Sequence, residues 1–160
     1  MMKIRVGFGF DVHQLKEGLN FCLGGIIIPH SKGSHGHSDA DVLIHTICDA
    51  LLGAANMGDI GKHFPDTSPE YKGIDSKILL KEVVNLINQK EYIISNIDST
   101  ICLQKPKIGK YIPEMKRVLS DCMKIDIEDI SIKATTTEKL GFVGREEGVS
   151  AYATVLIHKS

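Results

Sequence analysis

The sequence predicts an α/β protein of the α+β-sandwich type, in which a mixed β-sheet is covered by helices on one face. Apolar side chains alternate along segments near both ends of the chain, as they do in strands. Stripes of apolar residues at helical spacing lie between these segments, and strands and helices alternate after residue 90. The sequence contains neither an internal repeat nor a linker, so we expect residues 1–160 to form a single domain.

Two strand regions are predicted in the first part of the chain. Residues 3–10 have an apolar side chain at every second position, which is the pattern of a strand. Residues 21–29 form a second apolar strand, which Gly24 and Gly25 interrupt as a turn or bulge would. Residues 30–36 are mostly polar, and we expect them to form a loop.

Two helices are predicted in the middle of the chain, separated by a long loop. The first runs from residue 39 to about residue 57 and ends at Gly58, because glycine is common just after a helix. Residues 58–75 contain glycines and prolines without a regular apolar period, which is typical of a functional or a disordered loop. Residues 75–90 carry an apolar stripe and form the second predicted helix.

The second half of the chain alternates between predicted strands and helices. Residues 93–103 alternate in polarity as a strand does, and residues 113–123 form a third helix. Residues 130–136 form a strand that ends in a run of threonines, and a glycine-marked loop follows at 140–148. Residues 149–158 are strongly apolar and form the last predicted strand.

Composition indicates a soluble globular protein. The chain is 42% hydrophobic and 24% charged, and its net charge of −1 gives no sign of a nucleic-acid or membrane surface. No apolar run approaches the roughly 18 residues of a membrane span. The four cysteines contain no CxxC pair, and we expect them to be reduced. Since the chain enters a strand pattern at once, we expect no targeting peptide and a cytoplasmic location, with a plastid-type organelle as the alternative if a transit peptide was removed.

Metal-ligand candidates concentrate at the first strand and at the start of the first helix. Asp11 and His13 are two residues apart on a strand, so they point the same way. With His45 they would supply one oxygen and two nitrogen ligands and leave a position open, a set that favours zinc over magnesium. Asp41 and Asp49 lie one helical turn from His45, and either could orient its imidazole or cap a helix. The alternative is that both histidines are ordinary polar residues.

Acidic residues of the long loop form a second candidate group. Asp59 and Asp66 flank glycines and a proline, with His63 and Phe64 between them. Because these acids are near His45 in the sequence, they would suit the rim of a site that binds a polyol. The alternative is Asx-turn chemistry, which explains each acid on its own.

Two further stretches contain groups that suit a phosphate. Thr135, Thr136 and Glu138 lie at the end of a predicted strand and could face a phosphate and its metal ion, although β-propensity explains the threonines equally well. The lysines between residues 105 and 110 could bind an anion or form a solvated loop. The glycines match neither the Walker A motif nor a dinucleotide-binding fingerprint. These residues alone indicate a metal-dependent α/β enzyme that acts on a phosphorylated or polyol substrate.

Four blocks of the sequence resemble one enzyme family, in the same order and from end to end. They are GFDVH at residues 9–13, HSDADV at 37–42, DALLGAANMGDIGKHFPDT at 49–67 and KATTTEKLGFVGREEG at 133–148. None of them is a short generic motif. Through these blocks the chain resembles the 2-C-methyl-D-erythritol 2,4-cyclodiphosphate synthase family of the non-mevalonate isoprenoid pathway.

The resemblance implies an intramolecular phosphoryl transfer, a phosphorus–oxygen lyase reaction. The 2-phosphate of 4-diphosphocytidyl-2-C-methyl-D-erythritol 2-phosphate attacks the β-phosphorus of the same molecule, CMP leaves, and 2-C-methyl-D-erythritol 2,4-cyclodiphosphate forms. Two rival functions remain open. One is a metal-dependent sugar-phosphate hydrolase, and the other is a non-catalytic trimer that binds an isoprenoid diphosphate.

The resemblance also implies two metal sites. Asp11, His13 and His45 would bind one Zn²⁺ per subunit, and the open position of that ion would take a phosphate oxygen. Glu138 would help to hold a second divalent ion, Mg²⁺ or Mn²⁺, at the diphosphate.

Substrate contacts are implied in the same way. His37 and Thr136 resemble the residues that stabilise the transition state in the family. The substrate-binding set comprises Asp11, His13, His37, Ser38, Asp59, Ile60, Gly61, Phe64, Asp66 and Thr67. The cytidine-binding set comprises Leu103, Gln104, Lys105, Pro106, Lys107, Ile108, Gly109, Thr135 and Thr136.

Finally, the resemblance implies a homotrimer with active sites between neighbouring subunits. The trimer would enclose a central apolar cavity lined near Phe10, Phe142 and Arg145. Tyr152 stands near the place of an acidic residue in other members, and tyrosine would alter the polarity at one end of this cavity.

Overall fold

The computed structural model describes residues 2–159, which form a mixed β-sheet, a separate hairpin and a layer of helices. The strands are β1 (Lys3–Glu17), β2 (Phe21–Leu23), β3 (Ile26–Ile28), β4 (Lys32–His35), β5 (Ile93–Cys102), β6 (Ile130–Thr135) and β7 (Gly148–Lys159). The α-helices are α1 (Val42–Ala54), α2 (Ile60–His63), α3 (Ser76–Gln89), α4 (Ile112–Met123) and α5 (Gly141–Gly144). Short 3-10 turns lie at Pro69–Tyr71, Gly109–Tyr111 and Ile127–Asp129.

The main sheet has five strands in the order β4-β1-β7-β5-β6, and β2 pairs with β3 in the hairpin. Neighbouring strands are antiparallel except β5 and β6, which are parallel, so the predicted mixed sheet is confirmed. The register places Asp11, Ala151, Ile101 and Ala134 in one row across four strands. Asp11 on β1 and the threonine run at the end of β6 therefore lie at the same end of the sheet.

Helix α1 packs very closely on β1 because two glycines face it. A Cβ atom on Gly7 would lie 1.9 Å from a carbonyl oxygen of α1, and one on Gly9 would lie 2.0 Å from the carbonyl oxygen of Thr46. Alternate residues of a strand share a face, so Asp11 and His13 continue the row of these glycines towards the first turns of α1.

The core lies between the sheet and the helices. Helix α1 packs against β1, β7 and α3, and its Leu43, Ile47 and Leu51 are fully buried. A helix that is buried nearly all round belongs to the interior of a domain, which is where α1 lies. Helix α3 is amphipathic, with Leu79 and Val83 buried and its opposite side in solvent.

The other face of the sheet is apolar and exposed. The even-numbered side chains of β1, from Ile4 to Val12, are between 42% and 64% exposed. Tyr152 of β7 lies beside them, and its ring centroid is 5.1 Å from that of Phe10. Within residues 2–159 the long helix α1 and its neighbour α3 lie on the opposite face of the sheet, as predicted.

Two predictions for the first part of the chain were wrong in detail. Residues 30–36 contain β4, an edge strand that pairs with β1, and not only a loop. This strand reads KGSH and has no apolar alternation, so the pattern could not show it. The first strand runs to Glu17 and not to residue 10, while the predicted break at Gly24 and Gly25 is confirmed as the turn between β2 and β3.

The first helix is shorter than the predicted range of 39–57. Asp41 is the N-cap of α1, and Ala55 is its C-cap, so Gly58 does not end the helix. The predicted loop at 58–75 contains α2 and a 3-10 turn, and the one at 140–148 contains α5. The later strands and the helices α3 and α4 agree with the prediction within about two residues.

No helix within residues 2–159 is long and apolar enough to cross a membrane. The cysteines are free thiols, and burial raises the pKa of the Cys48 thiol well above its usual value.

Candidate functional site

The side chains of Asp11, His13 and His45 converge on one point. His13 Nε2 lies 3.1 Å from Asp11 Oδ2, His45 Nδ1 lies 3.2 Å from the same oxygen, and the two nitrogens are 3.0 Å apart. Within residues 2–159 this is the one group of three such ligands close enough to share a metal ion. The structure therefore brings together the three residues that the sequence indicated as zinc ligands.

This triangle fits a small tetrahedral ion. Zinc bonds of roughly 2.0–2.1 Å in a tetrahedron place ligand atoms about 3.3 Å apart. The three separations in the triad, 3.0–3.2 Å, are close to that value. An oxygen and two imidazole nitrogens form one face of the tetrahedron and leave the fourth position open, which is the arrangement of a catalytic zinc site.

The backbone explains why the triad forms. Asp11 and His13 lie on the α1 side of β1, in the row of Gly9, whose lack of a side chain lets the helix come close. His45 lies in the first turn of α1, next to Thr46, whose carbonyl contacts Gly9. The contact between strand and helix therefore sets the distance between the ligands.

Asp11 is held as a carboxylate. Burial by itself would raise its pKa, but hydrogen bonds with His13 and His45 and the charges of these two residues outweigh burial. The net effect is a pKa well below the usual value of 3.8. Asp11 is thus deprotonated, as a metal ligand must be.

The nearby acids have structural partners other than the triad. Asp41 is fully buried and accepts hydrogen bonds from the N–H groups of Gly24, Gly25 and Ile44, at 3.0, 2.6 and 3.0 Å. Burial raises its pKa, and these donors offset only part of that effect. Of the two roles expected for Asp41, capping is confirmed, because its oxygens cap α1 and fix the β2–β3 turn and do not contact His45.

Asp49 likewise satisfies a backbone group at the start of a helix and does not orient the imidazole. Its Oδ1 accepts the N–H of Ile60 at 2.7 Å, so it fixes the start of α2 and does not orient His45. Burial raises the pKa of Asp49 above its usual value.

The groups that do contact the outer nitrogen of His45 are two serines. Ser38 Oγ and Ser76 Oγ each lie 3.0 Å from His45 Nε2. Ser76 was missed in the sequence, because a serine next to the helix-capping Asp75 is ordinary helix-start chemistry. Only the packing of α3 on α1 reveals its contact with the metal-ligand candidate.

A pocket of about 390 Å³ opens beside the two histidines of the triad. Seven residues of the predicted substrate set line it together with His45: His13, His37, Ser38, Ile60, Gly61, Phe64 and Asp66. Four lining residues were not predicted: Pro65, Tyr71, Ile74 and Leu79. Tyr71 stacks edge-on against Phe64, with 5.5 Å between ring centroids, so this apolar wall is packed in place.

Three members of the predicted substrate set do not line this pocket: Asp11, which lies in the triad, Asp59 and Thr67. Asp59 caps α2 by accepting the N–H of Lys62 at 3.0 Å, which is the turn chemistry considered as its alternative. Thr67 is exposed at the edge of the same loop. His37, which does line the pocket, is exposed and lies 3.2 Å from the carbonyl oxygen of Ser68.

A second pocket, of about 290 Å³, lies at the ends of β5 and β6. Its lining includes seven of the nine residues predicted to bind cytidine: Leu103, Pro106, Lys107, Ile108, Gly109, Thr135 and Thr136. Gln104 and Lys105 point elsewhere. Gln104 Oε1 accepts the N–H of Lys139 at 3.3 Å, and Lys105 Nζ pairs with Glu146 at 3.1 Å.

Glu138 lies near this second pocket and outside the triad. Its carboxylate accepts a hydrogen bond from Thr136 Oγ1 at 3.4 Å, and it is exposed. Glu138 and Lys139 both have left-handed backbones, with φ of 53° and 65°. This turn directs the chain away from β6 immediately after the threonine run.

Two of the three residues expected at a central cavity, Phe10 and Phe142, lie at the exposed sheet face. Phe10 and Phe142 are 46% and 41% exposed. The guanidinium of Arg145 forms two hydrogen bonds to Glu147, at 2.9 and 3.1 Å, on the surface of the chain.

The chain is similar over its full length to curated and solved proteins. It is 70% identical to the 2-C-methyl-D-erythritol 2,4-cyclodiphosphate synthase of Bacteroides thetaiotaomicron, over 99% of both chains. Its fold matches the CDP complex of IspF from Plasmodium falciparum with a TM-score of 0.85 at 35% identity, covering 96% of this chain and 95% of that one. It also matches the bifunctional IspDF of Campylobacter jejuni with a TM-score of 0.96 at 38% identity. That match covers 100% of this chain and 43% of the longer Campylobacter protein.

The same assignment follows from a family model that covers residues 4–158, almost the whole chain. This chain belongs to the YgbB family.

Proposed function

We propose that this protein converts 4-diphosphocytidyl-2-C-methyl-D-erythritol 2-phosphate into 2-C-methyl-D-erythritol 2,4-cyclodiphosphate and CMP, in isoprenoid precursor biosynthesis. The observation that carries the proposal is the oxygen–nitrogen–nitrogen triad whose two histidines line a small-molecule pocket. The name of the close Bacteroides relative and the CDP bound by the Plasmodium protein support it. We regard residues 1–160 as one synthase domain, and we place it in the cytoplasm because its free thiols suit a reducing compartment.

The proposed step needs no water and no redox partner. An oxygen of the 2-phosphate forms a bond to the β-phosphorus, while the bond from this phosphorus to the oxygen that bridges to the α-phosphorus breaks. The bridging oxygen leaves with the α-phosphate as CMP. Because the nucleophile is part of the substrate, the protein has to fold the substrate into line and offset its negative charge.

The residues divide this work between the two pockets. Asp11, His13 and His45 would hold Zn²⁺, and Glu138 would help to hold Mg²⁺ or Mn²⁺. Bound at these places, the ions would polarise phosphate oxygens and offset charge. His37 lines the first pocket and Thr136 the second, so that each could donate a hydrogen bond to a phosphate oxygen as the P–O bonds exchange.

We assign the erythritol part to the first pocket and the cytidine to the second. The row from Asp11 to Ala134 crosses three strand spacings of roughly 4.8 Å, which separates the two sites of one chain by about 14 Å. Ring closure requires a folded substrate, so this separation favours a site that combines the triad of one subunit with the cytidine pocket of its neighbour.

A homotrimer is therefore part of the proposal. The exposed apolar face of β1 and Tyr152 supports it, since monomers rarely leave so continuous an apolar surface in water. The central cavity would lie near Phe10, Phe142 and Arg145. Sedimentation velocity at micromolar concentration should give three times the chain mass for the wild type. Val6→Asp, which places a charge on this face, should give a smaller species, whereas a wild-type monomer would contradict the trimer.

One incubation separates the proposed reaction from its two rivals. Purified protein with Zn²⁺ and Mg²⁺ is given the cytidyl substrate in water enriched in ¹⁸O, and the products are followed by ³¹P NMR and mass spectrometry. Cyclic diphosphate and CMP without ¹⁸O support the synthase. A linear product that carries ¹⁸O supports the hydrolase, and binding of an isoprenoid diphosphate without turnover supports the non-catalytic trimer.

A further inference from the structure

The two ring nitrogens of His45 face different surroundings. Nδ1 lies in the triad, 3.2 Å from Asp11 Oδ2 and 3.0 Å from His13 Nε2. Nε2 points away from it and lies 3.0 Å from the hydroxyls of Ser38 and Ser76. Ser76 is the first residue of α3 and is fully buried, so this contact is formed in the interior.

Three hydrogen-bond donors converge on Asp39. The hydroxyl of Ser76 donates to its Oδ1, and the backbone N–H of Ser76 donates to its Oδ2 at 3.0 Å. The backbone N–H of Asp41 donates to Oδ1 at 3.2 Å. An ionised carboxylate only accepts, so the hydroxyl proton of Ser76 is committed to Asp39. Ser76 then offers a lone pair, and not a proton, to His45.

This direction assigns the tautomer of His45 from its hydrogen-bond partners. Nε2 must carry a ring proton in order to bond to the lone pair of Ser76. Nδ1, which lies 3.2 Å from Asp11 Oδ2, is then the nitrogen that gives up any proton when a metal ion binds. Ser38 Oγ already accepts the N–H of Ala40 at 3.1 Å and can accept from the same Nε2–H. Metals bind the unprotonated nitrogen, so a ring whose Nε2–H is held by serine oxygens has Nδ1 free to bind a metal.

We infer that Asp39 and Ser76 form a hydrogen-bonded relay that positions His45 and presents its Nδ1 to the metal. Neither residue lies in the triad; both act through the imidazole. The inference rests on the proposed function in taking the triad as a zinc site. It assigns a purpose to a buried serine that belongs neither to the predicted ligand set nor to the predicted substrate set.

Asp75 provides a matched control at the same helix start. It accepts the N–H of Lys77 at 2.9 Å and pairs with Lys77 Nζ at 2.8 Å. Asp39 and Asp75 therefore both satisfy backbone N–H groups in the first turn of α3, but only Asp39 bonds to the serine that contacts His45. Asp75→Asn perturbs the helix start and leaves the relay in place.

The first measurement is the zinc affinity of the full chain, by competition with a chromophoric chelator. Loss of an outer partner typically weakens metal affinity by about 10–100-fold. We expect this loss in Ser76→Ala and Asp39→Asn, and a change within about twofold in Asp75→Asn. The side-chain amide that Asp39→Asn introduces can donate to Ser76, which turns the serine proton towards Nε2 and favours the wrong tautomer.

The second measurement reads the tautomer without any metal, by ¹⁵N NMR of the histidine rings in protein stripped with a chelator. Wild type and Asp75→Asn should show Nε2–H at His45, and Asp39→Asn should shift towards Nδ1–H. A wild-type His45 ring without Nε2–H would overturn the inference. Equal zinc affinity in all four proteins, or an equal loss in Asp75→Asn, would also overturn it. A wild type that binds no zinc would refute the proposed metal site, while the NMR spectrum would still decide the relay.

Discussion

Gly9 lies so close to Thr46 that a Cβ atom on the glycine would be 2.0 Å from the carbonyl oxygen of the threonine. Thr46 follows His45 in α1, and Gly9 precedes Asp11 by two residues on β1. The contact is backbone against backbone, so a side chain at position 9 would have to push the helix away. Close packing of the strand and helix therefore sets the distance between the metal ligands.

Gly9→Ala should weaken both the fold and the metal site. Overpacking costs typically about 1–3 kcal/mol, and here the displaced helix carries His45. We expect a loss of this size in the free energy of unfolding by urea, together with weaker zinc binding. Gly53→Ala is the control, because a Cβ atom there meets nothing within 4 Å, and alanine in a helix is favoured by about 0.5–1 kcal/mol. Equal stability in the two variants would contradict the role given to Gly9.

His45→Ala should remove zinc and activity but keep the fold. His45 is only partly buried, and the surrounding core is apolar and does not depend on it. Elemental analysis should fall from about one zinc per chain to near zero, with an unchanged circular dichroism spectrum. His158→Ala is the control, because His158 pairs with Ile4 at the other end of the sheet. Unchanged zinc content in His45→Ala would refute the ligand assignment.

Glu138→Ala should raise the concentration of Mg²⁺ or Mn²⁺ needed for half-maximal activity. The carboxylate is exposed beside Thr136, at the pocket assigned to cytidine and its phosphates. Loss of one oxygen ligand weakens a divalent-ion site, and we expect a shift of at least about tenfold. The measurement is a metal titration of CMP release at saturating zinc. Glu128→Ala, in a distant 3-10 turn, should behave as wild type, and an unchanged titration in Glu138→Ala would argue against the second-ion role.

Asp75→Asn should lose less of its free energy of unfolding on acidification than the wild type does. Burial would raise the pKa of Asp75, but the hydrogen bonds and charge of Lys77 lower it below the model-peptide value of 3.8. Between the two values the unfolded chain binds more protons, so the contribution is present above pH 3.8 and is lost as the pH falls through the lowered pKa. Because the Asp75–Lys77 pair is partly exposed, we expect it to contribute at most about 1 kcal/mol to the free energy of unfolding at pH 7. The free energy of unfolding by urea should be measured for wild type and Asp75→Asn from pH 7 to pH 3. The difference between the two proteins should shrink at the acid end, and a constant difference would contradict the role of the Asp75–Lys77 pair.

Much of the fold followed from the periodicity of the sequence. Long elements with a clear apolar pattern, such as β5 and α3, were predicted almost to their ends. The edge strand β4 was missed because its four residues are polar on both faces, and its pairing with β1 depends on register alone. The start of α1 was predicted too early because Asp39 and Asp41 precede the apolar residues at helical spacing. In the structure Asp41 is the N-cap of α1, and Asp39 accepts the N–H of Ser76 at the start of α3.

The parts of the site that use characteristic residue types, such as metal-binding histidines, could be predicted from the sequence. Two histidines and an aspartate at strand and helix spacing indicated the triad. The pocket walls Tyr71, Ile74 and Leu79 were not predictable, because apolar residues of this kind are as common in a core as beside a ligand. Ser76 carries no sequence signal at all, since its importance comes from the approach of α3 to α1.

His45 and Asp49 are one turn apart on α1, about 6 Å along its axis. The first belongs to the triad, and the second accepts the N–H of Ile60, which lines the same pocket, at 2.7 Å. One helix therefore serves as a rigid spacer between the metal-binding end of the pocket and the wall that follows α1. A displacement of this helix would therefore move the triad and the wall at Ile60 together.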